Sequence, residues 1–401
     1  MKQTVVGVVQ RIAPGMVADT LRGGYHTART HAASARYRYP ARYLKVIAVT
    51  GMTGKTTTVY YLNSILKSAG FTTAMLSSET TEVAGVVRPA ADTLSAQGVQ
   101  RLLRQAKKAD VDYVIVEAAP WALRAKLFHT VAFECVVVTN AEDDLDTREI
   151  ARVLAYTPRY SVLNADDASY PQLSGYEAAE HKISYGTSEA ADCRIRQVKL
   201  YRKGSEVQLL IDHHTKLELG TQLPGKHNVY DMTAAAMAAY LMYVKLEAIA
   251  DGIADLAPIP GRYERLEEDT PYDVIVDSAP TRAALETVLD TARAMTKNRL
   301  IVVLHEPLAD RAEIVARHAD RIVVSGLEEA VQPFLDALAA DHGTAHVEFI
   351  TDVAEALTKA RSIARTGDTV VVGSDTQTVS LADEATSNES LPSRDQADQR
   401  E

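Results

Sequence analysis

Short apolar runs alternate with longer helical stretches through the first half of the chain. The runs that predict strands lie near residues 46–50, 72–76, 113–117 and 134–139, and the helical stretches between them lie near 56–68 and 95–107. This alternation is typical of parallel strands joined by crossover helices. Between residues 180 and 220 the runs are short and alternating around the turn Lys203-Gly204-Ser205, which predicts a β-hairpin insertion. Together the patterns predict an α/β domain over residues 44–258.

A proline-containing segment separates this domain from a second series. A helix-rich stretch, 228–255, leads to Pro258-Ile259-Pro260-Gly261, which interrupts a helix and predicts an interdomain hinge. Beyond the hinge, predicted strands lie near 273–277, 299–304, 320–324, 346–350 and 369–373, and predicted helices lie near 281–296, 309–318, 328–340 and 352–365. We therefore predict a C-terminal Rossmann-like α/β domain over residues 259–382.

The two ends of the chain differ from these domains. Residues 1–43 predict a short basic helical segment in which tyrosines are interleaved with Arg22, Arg29, Arg36, Arg38 and Arg42. The charge pattern favours a solvated helical face; the alternative is a peripheral contact of residues 22–42 with an anionic membrane surface or a phosphorylated substrate. From about Asp383 the residues are polar, so 383–401 are predicted to form a disordered tail.

Composition limits the possible functions. The 401 residues exceed one typical core, 46% are hydrophobic, and the formal charge is −10. A negative chain argues against a dedicated nucleic-acid binder, because neutralising phosphates requires a basic face. Cys135 and Cys193 form no disulfide or metal pattern, which suits packing in a reducing cytoplasm. No apolar run approaches the roughly 18 residues of a membrane span, so we expect a cytoplasmic protein without a transmembrane segment.

A glycine-rich loop lies between a predicted strand and a predicted helix. Residues 49–58 read Val-Thr-Gly-Met-Thr-Gly-Lys-Thr-Thr-Thr. Gly51 and Gly54 allow backbone N–H groups to close around phosphate oxygens. Lys55 supplies a positive charge, and the Thr56 hydroxyl can ligate Mg²⁺ beside the helix N-terminus. Although Val49 stands where the strict Walker pattern has its first glycine, the loop predicts a nucleoside triphosphate site.

Glu117 is the second candidate residue. It ends the apolar run Tyr113 to Val116, and the carboxyl end of a parallel strand faces the ligand crevice of its sheet. A carboxylate at this position can help to bind Mg²⁺. Taken alone, Glu117 is more often a solvated acid at a strand end, and only the nearby loop favours the functional interpretation.

Four segments in a fixed order resemble those of one family. They are VTGMTGKTTT, YVIVEAAP, LPGKHNVYDMTAAAMAA, and IPGRYERLE followed by DVIVDSAP. Together they resemble the Mur ligases, the ATP-dependent amide-forming enzymes of peptidoglycan precursor synthesis. The similarity is greatest to the ligases that add the third peptide residue to UDP-N-acetylmuramoyl-dipeptide. It covers residues 44 to about 375, and it implies a P-loop ATPase-like central domain, a Rossmann-like C-terminal domain and ATP bound in the cleft between them.

The resemblance also implies a reaction. A Mur ligase uses ATP and Mg²⁺ to phosphorylate a substrate carboxylate, and an incoming amino group then displaces phosphate from the acyl phosphate to form an amide. Lys55 and Glu117 match the family's catalytic residues, and Thr56 with Glu117 match its Mg²⁺ ligands. The substrates would be small molecules, a muramyl peptide or related acid and an amine.

A larger set of residues matches the family's nucleotide contacts. Its members in this chain are Gly51, Thr53, Gly54, Lys55, Thr56, Thr57, Asn140, His227, Asn228, Arg262 and Asp277. The resemblance implies that His227 and Asn228 meet the adenine and that Asn140 lies near the phosphates. It implies that Arg262 reaches the nucleotide and that Asp277 binds the ribose hydroxyls. Singly, each has an ordinary explanation as a cap, a turn former or a helix-start residue.

Two features of the family's metal site are missing. Where the family has glutamate followed by Ser-Ser-His, this chain reads Glu117-Ala118-Ala119-Pro120-Trp121, and an indole cannot ligate a hard cation. Residues 141–160 contain no lysine, although the family carries a carbamylated lysine in this region. We therefore expect no second metal. The acidic residues that could offer substitute oxygens, or form a solvated loop, are Glu142, Asp143, Asp144 and Asp146.

The C-terminal domain departs further from the family. The glycine-rich and DNPR-type segments that recognise the incoming amino acid in the family are absent, and the corresponding region reads Leu304-His305-Glu306-Pro307-Leu308-Ala309-Asp310-Arg311. Pro280 stands where the family usually has a histidine. Gly373-Ser374-Asp375 stands where a GKGHE-like loop would lie. Four residues after strand ends could face the ligand crevice: His305, Asp310, Arg311 and Asp375. The favoured alternative is that they are ordinary polar residues of the surface. The 43 residues before the central domain are too few for the family's full UDP-binding domain, so residues 22–42 are a candidate substrate contact.

Two functions remain open, and a third explains less. The favoured one is an ATP-dependent carboxylate–amine ligase of the Mur type. The alternative is a catalytically reduced relative that binds ATP and acts with a partner, as Trp121 and the absent lysine suggest. A phosphate-loop kinase or another NTPase would leave the hinge and the C-terminal segments unexplained.

Overall fold

The computed structural model describes residues 15–90, 93–141, 144–157, 159–266, 270–340 and 346–373, with side chains from residue 23 onward. The chain divides into two compact units, Met1–Ala257 and Pro258–Glu401. Within the described residues, no helix is both long enough and apolar enough to cross a membrane. The predicted tail, 383–401, lies outside the described residues.

The first unit contains a sheet and the helices that cover it. Its helices are α1 (Gly15–Arg36), α2 (Lys55–Ser68), α3 (Ala96–Lys108), α4 (Pro120–Arg124), α5 (Asp144–Ala155), α6 (Tyr170–Ser174), α7 (Lys226–Leu241) and α8 (Leu246–Ala254), with a 3-10 turn at Pro40–Tyr43. Its strands are β1 (Lys45–Thr50), β2 (Thr73–Leu76), β3 (Thr80–Val83), β4 (Val86–Pro89), β5 (Tyr113–Glu117), β6 (Phe133–Val138), β7 (Tyr160–Asn164), β8 (His181–Gly186), β9 (Cys193–Tyr201), β10 (Gly204–Ile211) and β11 (Thr215–Thr221).

All these strands join in one sheet of order β11-β10-β9-β8-β7-β6-β1-β5-β2-β3-β4. Strands β9 to β2 of that order are parallel, and the antiparallel pairs lie at the two ends. Strand β1 lies between β5 and β6. The strands that follow β1 in the chain therefore lie on both sides of it, and the strand order reverses at β1. Ligands of such sheets bind where the strand order reverses, at the carboxyl ends of the strands. The loop after β1 occupies that point.

Burial on both faces explains why the central strands are continuous apolar runs. Val46, Ile47 and Val49 of β1 have no solvent exposure, and neither do Val114 and Ile115 of β5. Each such side chain contributes roughly 1.5–3 kcal/mol when fully buried. Strand β1 therefore provides a rigid support for the loop that follows it.

Helix α1 packs on this unit through small side chains. Thr30 Oγ1 donates to the carbonyl oxygen of Lys126 at 2.8 Å, and Ser34 Oγ lies 2.6 Å from Thr130 Oγ1. Ala33 is buried between them. Residues three and four apart lie on one face of a helix, so Thr30, Ala33 and Ser34 contact the body of the unit together. Arg29 and Arg36 are exposed. Helix α1 covers Gly15–Arg36 of the segment that the sequence predicts to be helical.

The second unit is a smaller α/β layer. Its strands are β12 (Glu264–Leu266), β13 (Asp273–Asp277), β14 (Leu300–His305), β15 (Arg321–Ser325), β16 (His346–Ile350) and β17 (Thr369–Gly373), and its helices are α9 (Arg282–Met295), α10 (Ala312–His318), α11 (Glu328–Ala340) and α12 (Val353–Ile363). The strand order is β12-β13-β17-β14-β15-β16, and all pairs except β12 with β13 are parallel. Separate apolar clusters cover the two faces of this sheet.

The predicted fold class, a parallel sheet with a β-hairpin insertion and a Rossmann-like α/β layer, is confirmed. Prediction missed the hairpin strands β3 and β4, and it missed β7, β8 and β12. Strands β3 and β4 have four residues each, too few to show a period, and β4 is exposed along its length. Both cysteines are buried and free, as their predicted packing role requires, and burial raises the pKa of the Cys193 thiol to about 12.

Candidate functional site

The loop between β1 and α2 adopts a conformation that requires glycine at two positions. Gly51 has φ +136° and Gly54 has φ +78°. A Cβ atom at Gly51 would lie 2.2 Å from Thr139 Oγ1, and one at Gly54 would lie 2.2 Å from Asp231 Oδ1. Gly54 also precedes the first residue of α2, where the unpaired N–H groups and the helix dipole favour an anion. The loop therefore has the backbone of a phosphate-binding turn.

Asn140 fixes the loop from the next strand. Its Oδ1 accepts hydrogen bonds from the backbone N–H groups of Met52, at 2.8 Å, and Thr53, at 3.1 Å. Its Nδ2 donates to Thr53 Oγ1 at 2.6 Å, and Thr139 Oγ1 donates to the Thr53 carbonyl at 2.6 Å. The sequence placed Asn140 near the phosphates; in the structure its amide binds the loop itself and holds the loop in shape.

Glu117 lies beside the start of α2, as its position at the end of β5 predicts. Its side chain is 7% exposed. Oε2 accepts hydrogen bonds from Thr56 Oγ1 at 2.9 Å and from the backbone N–H of Ser78 at 2.8 Å. Oε1 lies 3.9 Å from Lys55 Nζ. The two predicted Mg²⁺ ligands, Thr56 and Glu117, are therefore adjacent.

Lys55 folds back over the loop, and Thr57 is buried behind it. Lys55 Nζ donates to the Met52 carbonyl at 2.7 Å, so the ammonium group lies at the mouth of the glycine turn. Thr57 is 6% exposed in the first turn of α2, and Thr53 is partly exposed in the loop. The loop residues named from sequence thus form one compact group with Glu117 and Asn140.

Ser78 was missed from sequence, although a signal was available. It follows β2, which lies next to β5 in the sheet, so it reaches the same carboxyl edge as Glu117. Its Oγ lies 3.2 Å from Thr56 Oγ1. The run Ser77-Ser78 after a buried strand is the signal that this edge carries hydroxyl groups.

Helix α7 carries three polar residues of interest, of which Asp231 contacts the glycine loop. Asp231, 6% exposed and also missed from sequence, contacts Gly54. His227 lies four residues earlier, on the same face of the helix and about 6 Å along its axis. Burial lowers the pKa of His227 to about 4, so its ring is neutral at neutral pH. Asn228 is buried, and its Nδ2 donates to the Pro224 carbonyl at 2.7 Å, which anchors the entry to the helix.

Trp121 and a set of acidic side chains are the residues that the sequence brings into question for a second metal. Trp121, the sole tryptophan, is 46% exposed in the first turn of α4. Among the acidic residues considered as substitutes, buried Asp146 is paired with Arg124. Asp144 is exposed, and Glu142 and Asp143 lie outside the described residues. Within the described chain, no group of three or more His, Cys, Asp or Glu side chains is arranged to hold a metal ion.

In the second unit, Asp277 organises the segment before β12. Its Oδ2 accepts the backbone N–H of Tyr263 at 2.7 Å, and its Oδ1 accepts that of Ala279 at 2.8 Å. Burial raises the pKa of Asp277, while the nearby Arg262 guanidinium and the two N–H donors act in the opposite direction. The two nucleotide candidates of this unit, Arg262 and Asp277, therefore lie together at the end of β13.

The remaining candidates of this unit are more dispersed. His305 ends β14, and its Nδ1 lies 3.1 Å from Ser325 Oγ at the end of β15. Arg311 donates to the Pro280 carbonyl at 2.8 Å, and Asp310 is exposed. Ser374 and Asp375 lie outside the described residues. His305 and Arg311 thus bind neighbouring loops of their own unit.

Comparisons with known proteins agree with this architecture and site. The Mur ligase middle domain matches residues 49–239, and the Mur ligase, glutamate ligase domain matches residues 261–375. The UDP-N-acetylmuramoyl-L-alanyl-D-glutamate–2,6-diaminopimelate ligase of Solibacter usitatus is 30% identical over 370 residues, which are 85% of this chain and 74% of that protein. The ligase of the same name from Clostridium botulinum is 29% identical over 278 residues, 67% of this chain but only 57% of that protein.

A solved structure supports the fold independently. The folylpolyglutamate synthase of Mycobacterium tuberculosis, determined with ADP and AMPPCP, has a TM-score of 0.73 at 16% identity and covers 91% of this chain and 96% of that one. Fold and sequence thus define a two-unit, phosphate-loop α/β ligase architecture. The chain belongs to the Mur ligase family, the ATP-dependent amide-bond ligases of peptidoglycan precursor synthesis.

Proposed function

We propose that this protein is an ATP-dependent carboxylate–amine ligase that forms an amide bond on a peptidoglycan precursor. The observation that carries the proposal is the contact between the glycine loop and Glu117, in which Thr56 Oγ1 and the carboxylate are 2.9 Å apart and Lys55 Nζ is 3.9 Å away. A cation, a hydroxyl and a carboxylate around a phosphate turn suit phosphoryl transfer, where positioning and charge neutralisation provide most of the catalysis.

Thr56 and Glu117 are the proposed Mg²⁺ ligands. Mg²⁺ prefers oxygen donors, and it is commonly held by one or two protein oxygens together with phosphates and water. A hydroxyl and a carboxylate that already touch fit this chemistry, and the adjacent hydroxyl of Ser78 adds to it. MgATP, when bound, supplies the phosphoryl group that activates the substrate carboxylate. Lys55 neutralises charge at the phosphates, and Asn140 holds the loop in shape by accepting the N–H groups of Met52 and Thr53.

The other nucleotide roles are also proposals. His227 and Asn228 are assigned to the adenine, and the neutral ring of His227 suits a hydrogen bond with a base. Arg262 and Asp277 are assigned to the nucleotide and its ribose. The carboxylate of Asp277 already accepts two backbone N–H groups, and each of its oxygens has capacity for another donor.

The substrates are proposed from the relatives. Both named relatives are ligases that add 2,6-diaminopimelate to UDP-N-acetylmuramoyl-L-alanyl-D-glutamate. We infer that this protein acts on a muramyl peptide acid of this kind. The residues after β14 and β15 lack the family's amino-acid recognition segments, so the amine partner is left open. The free, buried thiols suit the reducing cytoplasm in which we place the reaction.

The test is phosphate release from ATP in the presence of Mg²⁺. It compares four mixtures: ATP alone, ATP with UDP-N-acetylmuramoyl-L-alanyl-D-glutamate, ATP with a panel of amino acids, and ATP with both. Release that rises only in the complete mixture, with a matching mass increase of the acid, supports the ligase. Release that is independent of acid and amine contradicts it and indicates an ATPase.

A second function is favoured by two specific observations. Trp121 occupies the position of a metal-binding histidine in the family, and residues 141–160 contain no lysine. A catalytically reduced protein that binds ATP and acts with a partner would explain both. Its signature is tight ATP binding without turnover in the complete mixture. Mg²⁺ titration should give one tight site per nucleotide in either case, and two bound cations would contradict the loss of the second site.

A further inference from the structure

Two stretches of the first unit carry positive charge without any acid. Residues 23–45 contain five arginine and lysine side chains, residues 96–108 contain four, and neither stretch contains aspartate or glutamate. We call these side chains the basic face: Arg29, Arg36, Arg38, Arg42, Lys45, Arg101, Arg104, Lys107 and Lys108. Because the formal charge of the whole chain is −10, the residues outside the two stretches carry −19. The charge is therefore strongly segregated.

The fold brings the two stretches together, although they are far apart in sequence. Helix α3 packs against α1 and against the 3-10 turn Pro40–Tyr43. Lys107 Nζ lies 3.2 Å from the centre of the Tyr43 ring, which fixes the end of α3 against that turn. From the sequence alone, only the arginine-rich N-terminal stretch is identified as basic. The packing of α3 beside it roughly doubles the positive charge of this surface.

Most of these cations are available to a partner. Arg29, Arg36, Arg38, Arg42 and Lys108 are exposed. None of these five forms an ion pair with any described residue, whereas arginines elsewhere commonly do, as Arg317 does with Glu286 and Glu313. Unpaired cations on one surface create a positive potential that attracts an anionic partner.

The tyrosines on this surface favour a membrane over a nucleic acid. Tyr25 and Tyr43 are 46% and 67% exposed, and tyrosine is well suited to the boundary between lipid headgroups and water. Single-stranded nucleic acid requires free aromatic faces for base stacking. Here Lys107 covers one face of Tyr43, and the Arg42 guanidinium lies 4.7 Å from the centre of the Tyr39 ring. The rings of Tyr39 and Tyr43 are therefore already in contact with cations, which leaves less of their faces for base stacking.

We propose that the basic face binds the surface of a membrane rich in anionic phospholipid. Helix α1, the 3-10 turn and α3 would lie against the headgroups, with the exposed tyrosines at the interface. Each lysine or arginine near such a surface adds to the attraction. No described helix could span the bilayer, so the contact is peripheral.

The test is sedimentation of the full chain with two kinds of vesicle, phosphatidylcholine alone and an equal mixture of phosphatidylcholine and phosphatidylglycerol. We expect sedimentation only with the mixture, and its loss in about 1 M salt, where charges are screened beyond roughly 3 Å. The variant Arg36→Glu/Arg38→Glu/Lys108→Glu should bind at least about 30-fold more weakly.

The control reverses three exposed lysines elsewhere. Lys203→Glu/Lys216→Glu/Lys245→Glu changes the net charge equally and should leave vesicle binding within about twofold of wild type. Circular dichroism and ATP binding by calorimetry confirm that both variants are folded. Equal loss in both variants, or binding to neutral vesicles, would overturn the proposal. Absence of vesicle binding together with retention of a single-stranded RNA in a gel-shift assay would assign the face to nucleic acid instead.

Discussion

The two units present different carboxyl edges, although both are parallel sheets with helical layers. At the edge of the first sheet, the glycine loop, Glu117 and Asn140 bind one another through several short contacts. At the edge of the second sheet, Asp277 is similarly engaged, whereas His305 lies against Ser325 and Arg311 donates to the Pro280 carbonyl. Backbone geometry shapes the first edge and tolerates little change, whereas the second edge carries side chains that can be exchanged on the same strands.

The largest effect is expected at Lys55. In Lys55→Ala the loop loses its cation while the backbone remains, so phosphate release should fall by about 10²-fold or more and ATP affinity should weaken. Phosphate assays and calorimetry with ATP and Mg²⁺ measure both. Lys203→Ala, in an exposed turn, is the control and should behave as wild type. Unchanged turnover in Lys55→Ala would falsify the proposed nucleotide site.

Substitution of Glu117 tests whether a negative charge is required at the carboxyl edge of the first sheet. Glu117→Gln keeps an oxygen acceptor for Thr56 and for the Ser78 N–H but removes the negative charge, so Mg²⁺-dependent turnover should fall on the order of 10²-fold with little loss of stability. Activity is measured across a Mg²⁺ series. Glu134→Gln, at the start of β6, is the control. A variant that saturates at the wild-type Mg²⁺ concentration would show that Glu117 does not bind the metal.

Substitutions at Gly54 and Gly70 distinguish the effect of backbone strain on stability from the effect of loop shape on ATP binding. Gly54 and Gly70 have similar φ values, +78° and +86°, but a Cβ at Gly54 meets Asp231 and one at Gly70 meets nothing within 4 Å. Alanine at either position should cost roughly 1–2 kcal/mol of unfolding free energy from the left-handed conformation, and Gly54→Ala should cost more because its Cβ also meets Asp231. Only Gly54→Ala should also lose ATP affinity, by about tenfold or more. Calorimetry and urea unfolding measure the two quantities, and equal ATP affinity in the two variants would contradict the role of the loop.

The smallest effect concerns His227. Its folded pKa of about 4 lies below the usual value of 6.5, so the unfolded chain takes up a proton first as pH falls. The stability linked to His227 is therefore complete above about pH 6.5 and declines toward pH 4, on the order of 1 kcal/mol because the ring is partly exposed. Urea unfolding across this range should be flatter for His227→Gln than for the exposed control His213→Gln. An identical slope in both variants would show that His227 is not protected from protonation.

The comparison of the two edges also shows what could be read from sequence. The apolar runs located β1, β5 and β6, and the loop residues with Glu117 were named in advance because strand ends and glycine spacing follow short-range rules. Ser78 and Asp231 were not named. Their proximity to the loop depends on β2 lying beside β5 and on α7 packing against α2, which are long-range contacts.

The sequence by itself determined the central strands β1, β5 and β6, the glycine turn and the departures at Trp121 and in residues 141–160, since these depend on residue type and local spacing. Only the tertiary structure decided that Asn140 binds the loop backbone, that Asp231 leaves no space for a Cβ at Gly54, and that α3 joins α1 in one basic face. The reason is physical. Local pattern fixes which side chains a strand or helix presents, whereas the order of strands in the sheet fixes which of them meet.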